Sequence, residues 1–135
     1  MVIDQSVGEQ TRQVATGFAF LQPDLLCRRL DGPSSSRARN VGTRLATGEV
    51  LAFLDDDCIV GPDWLHQVVD AFARHPHAGL VCGSLVKALN DATMFVAEFR
   101  IPAERELTGW RTARHAWGVG ASVYVRREAA AHVGP

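Results

Sequence analysis

Short apolar runs separated by helix-length segments set the rhythm of this chain. Val2–Asp4 reads as a strand that breaks into the polar "QSVGEQT", which starts a helix over Glu9–Ala15 with Gly17 as its stop. Asp24–Leu30, "DLLCRRL", is a second strand, and "DGPSSS" after it is loop by composition. Those serines are good N-caps for "SRARNVGTRLAT", where Ala38, Val41 and Leu45 share one helical face and Gly48 supplies the end. Glu49–Leu54 is a third strand. Pro62 suits the first turn of the next helix, whose apolar stripe is Leu65, Val68, Val69 and Phe72, with Pro76 beyond its end. "AGLVCGSLVKAL", Ala78–Leu89, is a fourth strand. From Asp91 to Trp117 the period weakens, and the reading there is a helix over Thr93–Arg100 followed by a long loop. A glycine-bounded strand, Ala121–Val125, and a short helix from Arg127 restore order.

Strand and helix alternating in this way argue for an α/β architecture, mainly a parallel sheet with helices flanking it. Such sheets hold ligands beyond the carboxyl ends of their strands. Asp4 stands at one such end and the triplet Asp55, Asp56 and Asp57 at another, so both are expected to line one crevice.

Composition narrows the function classes. With 47% hydrophobic and 21% charged residues over 135 positions, the chain has the make-up of an ordinary globular domain. A formal net charge of -1 gives no general attraction to nucleic acid or an anionic membrane, so any recognition of charge is local. No stretch is apolar for long enough to span a bilayer and no signal pattern opens the chain, which points to the cytoplasm. Cys27, Cys58 and Cys82 are odd in number and far apart, and read as small apolar side chains in a reducing compartment.

The triplet carries the most chemistry. Along an extended strand, Asp55 and Asp57 would face one side and Asp56 the other. Two close carboxylates repel, and a divalent cation relieves them; hard oxygen ligands favour Mg2+ or Mn2+, which complete their shell with water and substrate phosphates. The competing reading is an acidic turn before a helix, with Asp57 or Asp63 serving only the helix terminus. The apolar run ahead of the triplet favours a central strand, and with it a site. Arg37, Arg39 and Asn40 open the preceding helix, where positive charge is unfavourable without an anion nearby.

The segments "VIDQS", "SRARNVGTRLATGEVLAFLDDDCIVGPDWL" and "GASVYVRREAAAHVGP" resemble the family 2 glycosyltransferases, most specifically from Arg39 to Leu65. The resemblance implies a nucleotide-diphospho-sugar transferase fold of the Rossmann-like GT-A type, with residues 1–90 as its nucleotide-sugar and metal part and 91–135 as the start of an acceptor side. It implies that the triplet is a DXD-type motif, with Asp55 and Asp57 on Mn2+ or Mg2+ and Asp55 and Asp56 toward the donor. Asp4 is implied near the nucleoside base and Arg39 beside the nucleotide. The reaction implied is metal-dependent transfer of a sugar to an acceptor, with inversion.

Members of that family usually carry a strand before the "VIDQS" element and an acidic segment, the general base, after the "HVGP" element. The chain therefore reads as an incomplete domain at both ends, with an exposed sheet edge open to pairing with another chain. No catalytic base is assigned: Glu98, Glu104 and Glu106 are charged residues of an irregular segment, which are far more often solvated surface. Two other classes compete, a non-catalytic or partner-binding piece of a glycosyltransferase and a phosphohydrolase with an aspartyl nucleophile; "DDDCIV" lacks the residue spacing expected of the latter.

Overall fold

The computed structural model describes residues 1–86, 100–109 and 120–134. The chain divides into two compact units, Met1–Gly48 and Glu49–Gly134. Among the described residues no helix is long and apolar enough to cross a membrane.

In the first unit, β1 (Val2–Asp4) and β2 (Cys27–Arg29) pair in parallel, with Asp4 across from Arg29. The ladder is extended at both ends by Val2 N–H donating to Leu26 O and Leu30 N–H to Asp4 O. Helix α1 (Gln10–Ala19) makes the crossover and α2 (Ser35–Leu45) packs on β1, where Gly42 faces Ile3. Gly17 does not stop α1 as expected. A glycine inside a helix costs only about 1 kcal/mol, and the chain turns two residues later, where Leu21 and Gln22 N–H both reach Phe18 O ahead of Pro23. That turn, with Leu25 N–H on Gln22 O, also shortens the second strand from the seven residues expected to its last part. Ser34 caps α2 as its type suggested, its Oγ accepting Arg37 N–H at 3.3 Å.

The second unit is built on β3 (Val50–Phe53), β4 (Leu80–Cys82) and β5 (Val123–Arg126), in the order β3-β5-β4. Both outer strands run antiparallel to β5. The expected adjacency of parallel neighbours therefore holds for β1 and β2 but not here. β3 and β4 do run in the same direction, as the helix between them demands, yet β5 lies between them and takes up the hydrogen bonds they would have exchanged. A 3-10 turn, Gly120–Ser122, feeds β5, so the strand starts two residues later than the sequence pattern suggested. The helix expected at Thr93–Arg100 falls outside the described residues except for Arg100, which is not helical.

Helix α3 (Trp64–Arg74) covers one face of this sheet. Val68, Phe72 and Tyr124 form its buried cluster, with Val50, Trp64 and Val81 packed around them. The inward stripe is thus Trp64, Val68, Ala71 and Phe72, rotated from the expected one: Leu65 and Val69 are 60% and 61% exposed. Both stripes fit a 3.6-residue period, and the bulk of Trp64 against Tyr124 selects the one that turns inward. Arg126 fastens the far end of α3, its Nη2 donating to Phe72 O and its Nε to Ala78 O, with the guanidinium 4.9 Å over the Phe72 ring. The short helix α4 (Arg127–Val133) follows directly, Ala129 lying against Gly79.

Phe72→Ala is expected to cost about 3–5 kcal/mol in a urea titration, the range for removing a buried aromatic, whereas Leu65→Ala should stay within about 0.5 kcal/mol. Equal losses at the two positions would refute this orientation of α3.

Candidate functional site

Asp4 closes β1 and is buried. Its Oδ1 accepts the Ser6 N–H at 2.9 Å and the Ser6 hydroxyl at 2.6 Å, while Oδ2 lies 3.4 Å from Arg29 Nη1. The Ser6 hydroxyl, then the Ser6 amide, and to a smaller extent the Arg29 charge hold this carboxyl below the usual aspartate range, against the opposing effect of burial. Arg29 in turn donates to the carbonyls of Gly8 and Val7, so one guanidinium ties the end of β2 to the turn that precedes α1. Gln5 does the corresponding job on the other side. Its amide nitrogen donates to Gly32 O and its Oε1 accepts Ser34 N–H, which draws the loop before α2 toward the end of β1.

The "DQS" triplet of residues therefore organises the carboxyl end of the parallel pair. Neither Gln5 nor Arg29 was singled out from sequence. The parallel register that puts Arg29 beside Asp4 is the missing signal, because the two are 25 positions apart in the chain.

On α2, Arg37 Nη1 donates to Asp31 O at 2.8 Å, so the positive charge expected to seek an anion there finds a carbonyl of the preceding loop. Arg39 is half-buried on the same helix, and its backbone O accepts the Thr43 hydroxyl.

In the second unit the acidic triplet follows β3, but the strand itself ends at Phe53. The alternation that was to set Asp55 and Asp57 on one side does not reach them. Instead Asp55 O accepts Cys58 N–H at 3.2 Å, so the triplet bends through a turn, with Asp55 half-buried and Asp56 and Asp57 exposed. Cys58 closes that turn. Burial first, then the charges of Asp57 and Asp55, push its thiol up. All three cysteines are free thiols, half-buried rather than fully enclosed.

Among the described residues no group of three or more histidine, cysteine, aspartate or glutamate side chains is arranged to hold a metal ion by itself. A complete protein cage is thus not what the triplet offers. Its donor set is all carboxylate, which suits a hard cation that takes one or two protein oxygens and the rest from diphosphate and water.

Glu104 and Glu106 are spent elsewhere. Glu104 lies 3.2 Å from Arg74 and 3.0 Å from His75 Nε2, and Glu106 lies 3.4 Å from His75 Nδ1. Arg74 and then His75 hold the Glu104 carboxyl below its ordinary value, the wrong direction for a general base working near neutral pH. Both partners sit at the end of α3 farthest from the triplet, about 15 Å along the helix from Trp64 at 1.5 Å per residue. Glu98 lies outside the described residues.

Set beside known proteins, the chain matches the model of the glycosyl transferase family 2 over residues 1–134, and it belongs to that family. It is 41% identical over 78 residues to the glucosyl-dolichyl phosphate glucuronosyltransferase of Haloferax volcanii, an alignment covering 58% of this chain and 25% of that protein. It is 36% identical over 58 residues to the inactive polypeptide N-acetylgalactosaminyltransferase-like protein 5 of Macaca fascicularis, covering 43% of this chain and 13% of that one. The chain thus spans a quarter or less of the length of either relative. No solved structure matches it.

Because the Asp4 carboxyl is depressed on folding, its contribution to stability is complete above the unfolded value of about 3.9 and is lost as pH falls through the folded one. Urea melts followed by circular dichroism at pH 6 and pH 3 should show a destabilisation at the lower pH that is smaller in Asp4→Asn. Identical acid sensitivity in the two proteins would rule the Asp4 anchor out.

Proposed function

We propose that this chain is the donor-holding part of a glycosyltransferase, which binds a nucleotide-diphospho-sugar and presents its anomeric carbon to an acceptor hydroxyl. Family membership supports sugar transfer as the general activity. The single observation that carries the finer reading is the acidic turn Asp55–Cys58, set directly after a strand whose Leu51 is buried. Adjacent carboxylates repel one another, and a divalent cation relieves that repulsion.

In this reading Asp55 and Asp57 hold Mn2+ or Mg2+, and Asp55 and Asp56 face the ribose and diphosphate. Bound there, the ion supplies a Lewis acid that neutralises charge on the departing diphosphate. The half-buried position of Asp55 suits a fixed ligand, and the exposure of Asp56 and Asp57 suits contact with groups that arrive from solvent. Asp4 and Arg39, in the first unit, are assigned to the nucleoside and to the nucleotide's flank. For Asp4 the assignment is compatible with its ionised state, held by Ser6 and Arg29. Inversion requires a base to take the acceptor's proton, and Glu104, held below its ordinary value by Arg74 and His75, is poorly suited to that task.

A non-catalytic role for the chain is the second reading. It is favoured by the commitment of Glu104 and Glu106 to Arg74 and His75, and the macaque relative bears the word "inactive" in its own name. Calorimetric titration with a panel of nucleotide-sugars separates the readings when run beside a turnover assay. The donor reading expects binding that needs Mn2+ and falls by about tenfold or more in Asp55→Ala and Asp57→Ala, the loss of one charge-assisted ligand. Binding indifferent to both substitutions and to the metal would sink it, and no turnover with any donor together with a complex with a second polypeptide in size-exclusion chromatography would select the second reading.

A further inference from the structure

We infer that Tyr124 is a positioning residue for the acidic turn, holding both ends of the segment that carries Asp55, Asp56 and Asp57. This rests on the reading of that turn as the donor site. The segment runs from the end of β3 at Phe53 to the start of α3 at Trp64. At its first end, Ala52 lies directly across the antiparallel ladder from Tyr124 and Phe53 across from Val123. At its second end, Trp64 Nε1–H donates to the Tyr124 hydroxyl at 2.8 Å, with the two rings edge to face and their centroids 6.0 Å apart. Tyr124 thus pairs with β3 one position before the segment leaves the sheet, and its hydroxyl holds the point where the segment enters the helix.

The hydroxyl is itself fixed. Indole Nε1 only donates, so the Tyr124 oxygen accepts from Trp64, and its own proton suits the Ser122 Oγ 2.9 Å away. Ser122 and Tyr124 are both buried. The pair is also hemmed in by Gly83, where a Cβ would overlap Ser122 Oγ and crowd the Tyr124 hydroxyl. Gly83 N–H donates to Ser122 O, which locks the end of β4 against the same point. Inside the segment, the Asp55–Cys58 and Gly61–Trp64 backbone bonds shape two turns, but neither bond reaches the sheet. Tyr124 thus stands as an anchor beside each end of the segment that carries the carboxylates.

Tyr124→Phe removes the hydroxyl and keeps the ring; Trp64→Phe removes the donor and keeps an aromatic in the cluster. The first measurement uses no ligand: hydrogen exchange of residues 54–63 compared with the rest of the second unit. Each variant should speed exchange in that segment by about five- to tenfold, the worth of one hydrogen bond, while the α3 amides from Gln67 to His75 change by less than about twofold. Exchange that rises evenly across the unit, or not at all, would overturn the inference and leave Tyr124 a core residue like any other. The second measurement is affinity for Mn2+ with uridine or guanosine diphosphate, expected to fall by a similar factor in both variants. If the unsubstituted chain binds neither nucleotide while the segment-specific exchange is seen, the donor reading fails and the Tyr124 tie stands. Trp64→Phe decides the matter should Tyr124→Phe not fold.

Discussion

β5 runs antiparallel between β3 and β4, and the Tyr124 side chain at its centre is the contact on which the second unit depends. It forms one buried cluster with Val68 and Phe72 of α3, against which Val50 of β3 and Val81 of β4 pack, and its hydroxyl takes the Trp64 N–H. Burying each large apolar side chain of that cluster is worth on the order of 1.5–3 kcal/mol, more than a single hydrogen bond. Burial thus holds the helix on the sheet, while the hydroxyl fixes how it sits. The same residue sets the two ends of the acidic segment, so the stability of this unit and the geometry of its carboxylates have a common origin.

The first unit is organised differently. It buries little apolar surface, and Asp4 is among its few buried side chains. Order there comes from a polar knot at the carboxyl ends of the two parallel strands, in which Asp4 holds Ser6 and Arg29 while Gln5 holds the loop before α2. A buried carboxylate is tolerable only when its oxygens are satisfied, and this one accepts two hydrogen bonds from Ser6 and lies near a guanidinium. The arrangement makes the "DQS" stretch a structural element, whatever it also contacts. It explains as well why Arg29, exposed like its neighbour Arg28, is nevertheless held in place by Asp4 and the carbonyls of Val7 and Gly8.

Much of the element order was legible in the sequence because periodicity and punctuation agree. Ser34 before α2, the apolar run of β3 and the period of α3 each report a local cause, and each element forms close to where that cause puts it. The departures also have physical reasons. Gly17 was too weak a stop, since an isolated glycine costs a helix little. The stripe of α3 was rotated because Leu65 and Trp64 both fit the period, and only the Tyr124 ring on the sheet distinguishes them. The strand alternation does not reach Asp55 to Asp57 because the chain leaves the sheet at Phe53 and turns, Cys58 N–H bonding back to Asp55 O.

The sequence by itself determined that the chain mixes α and β elements and that its motifs are those of glycosyl transferase family 2, and it marked the carboxylates after apolar strands as the candidate site. These follow from side-chain type and short-range spacing, which local physics converts directly into structure. Tertiary structure alone decided that β5 separates β3 from β4, that Arg29 meets Asp4, that Glu104 and Glu106 are bound to the end of α3, and that Tyr124 ties the acidic segment at both ends. Each of those contacts joins residues distant in the chain, and no local propensity encodes which of several equally apolar or equally charged partners packing will choose.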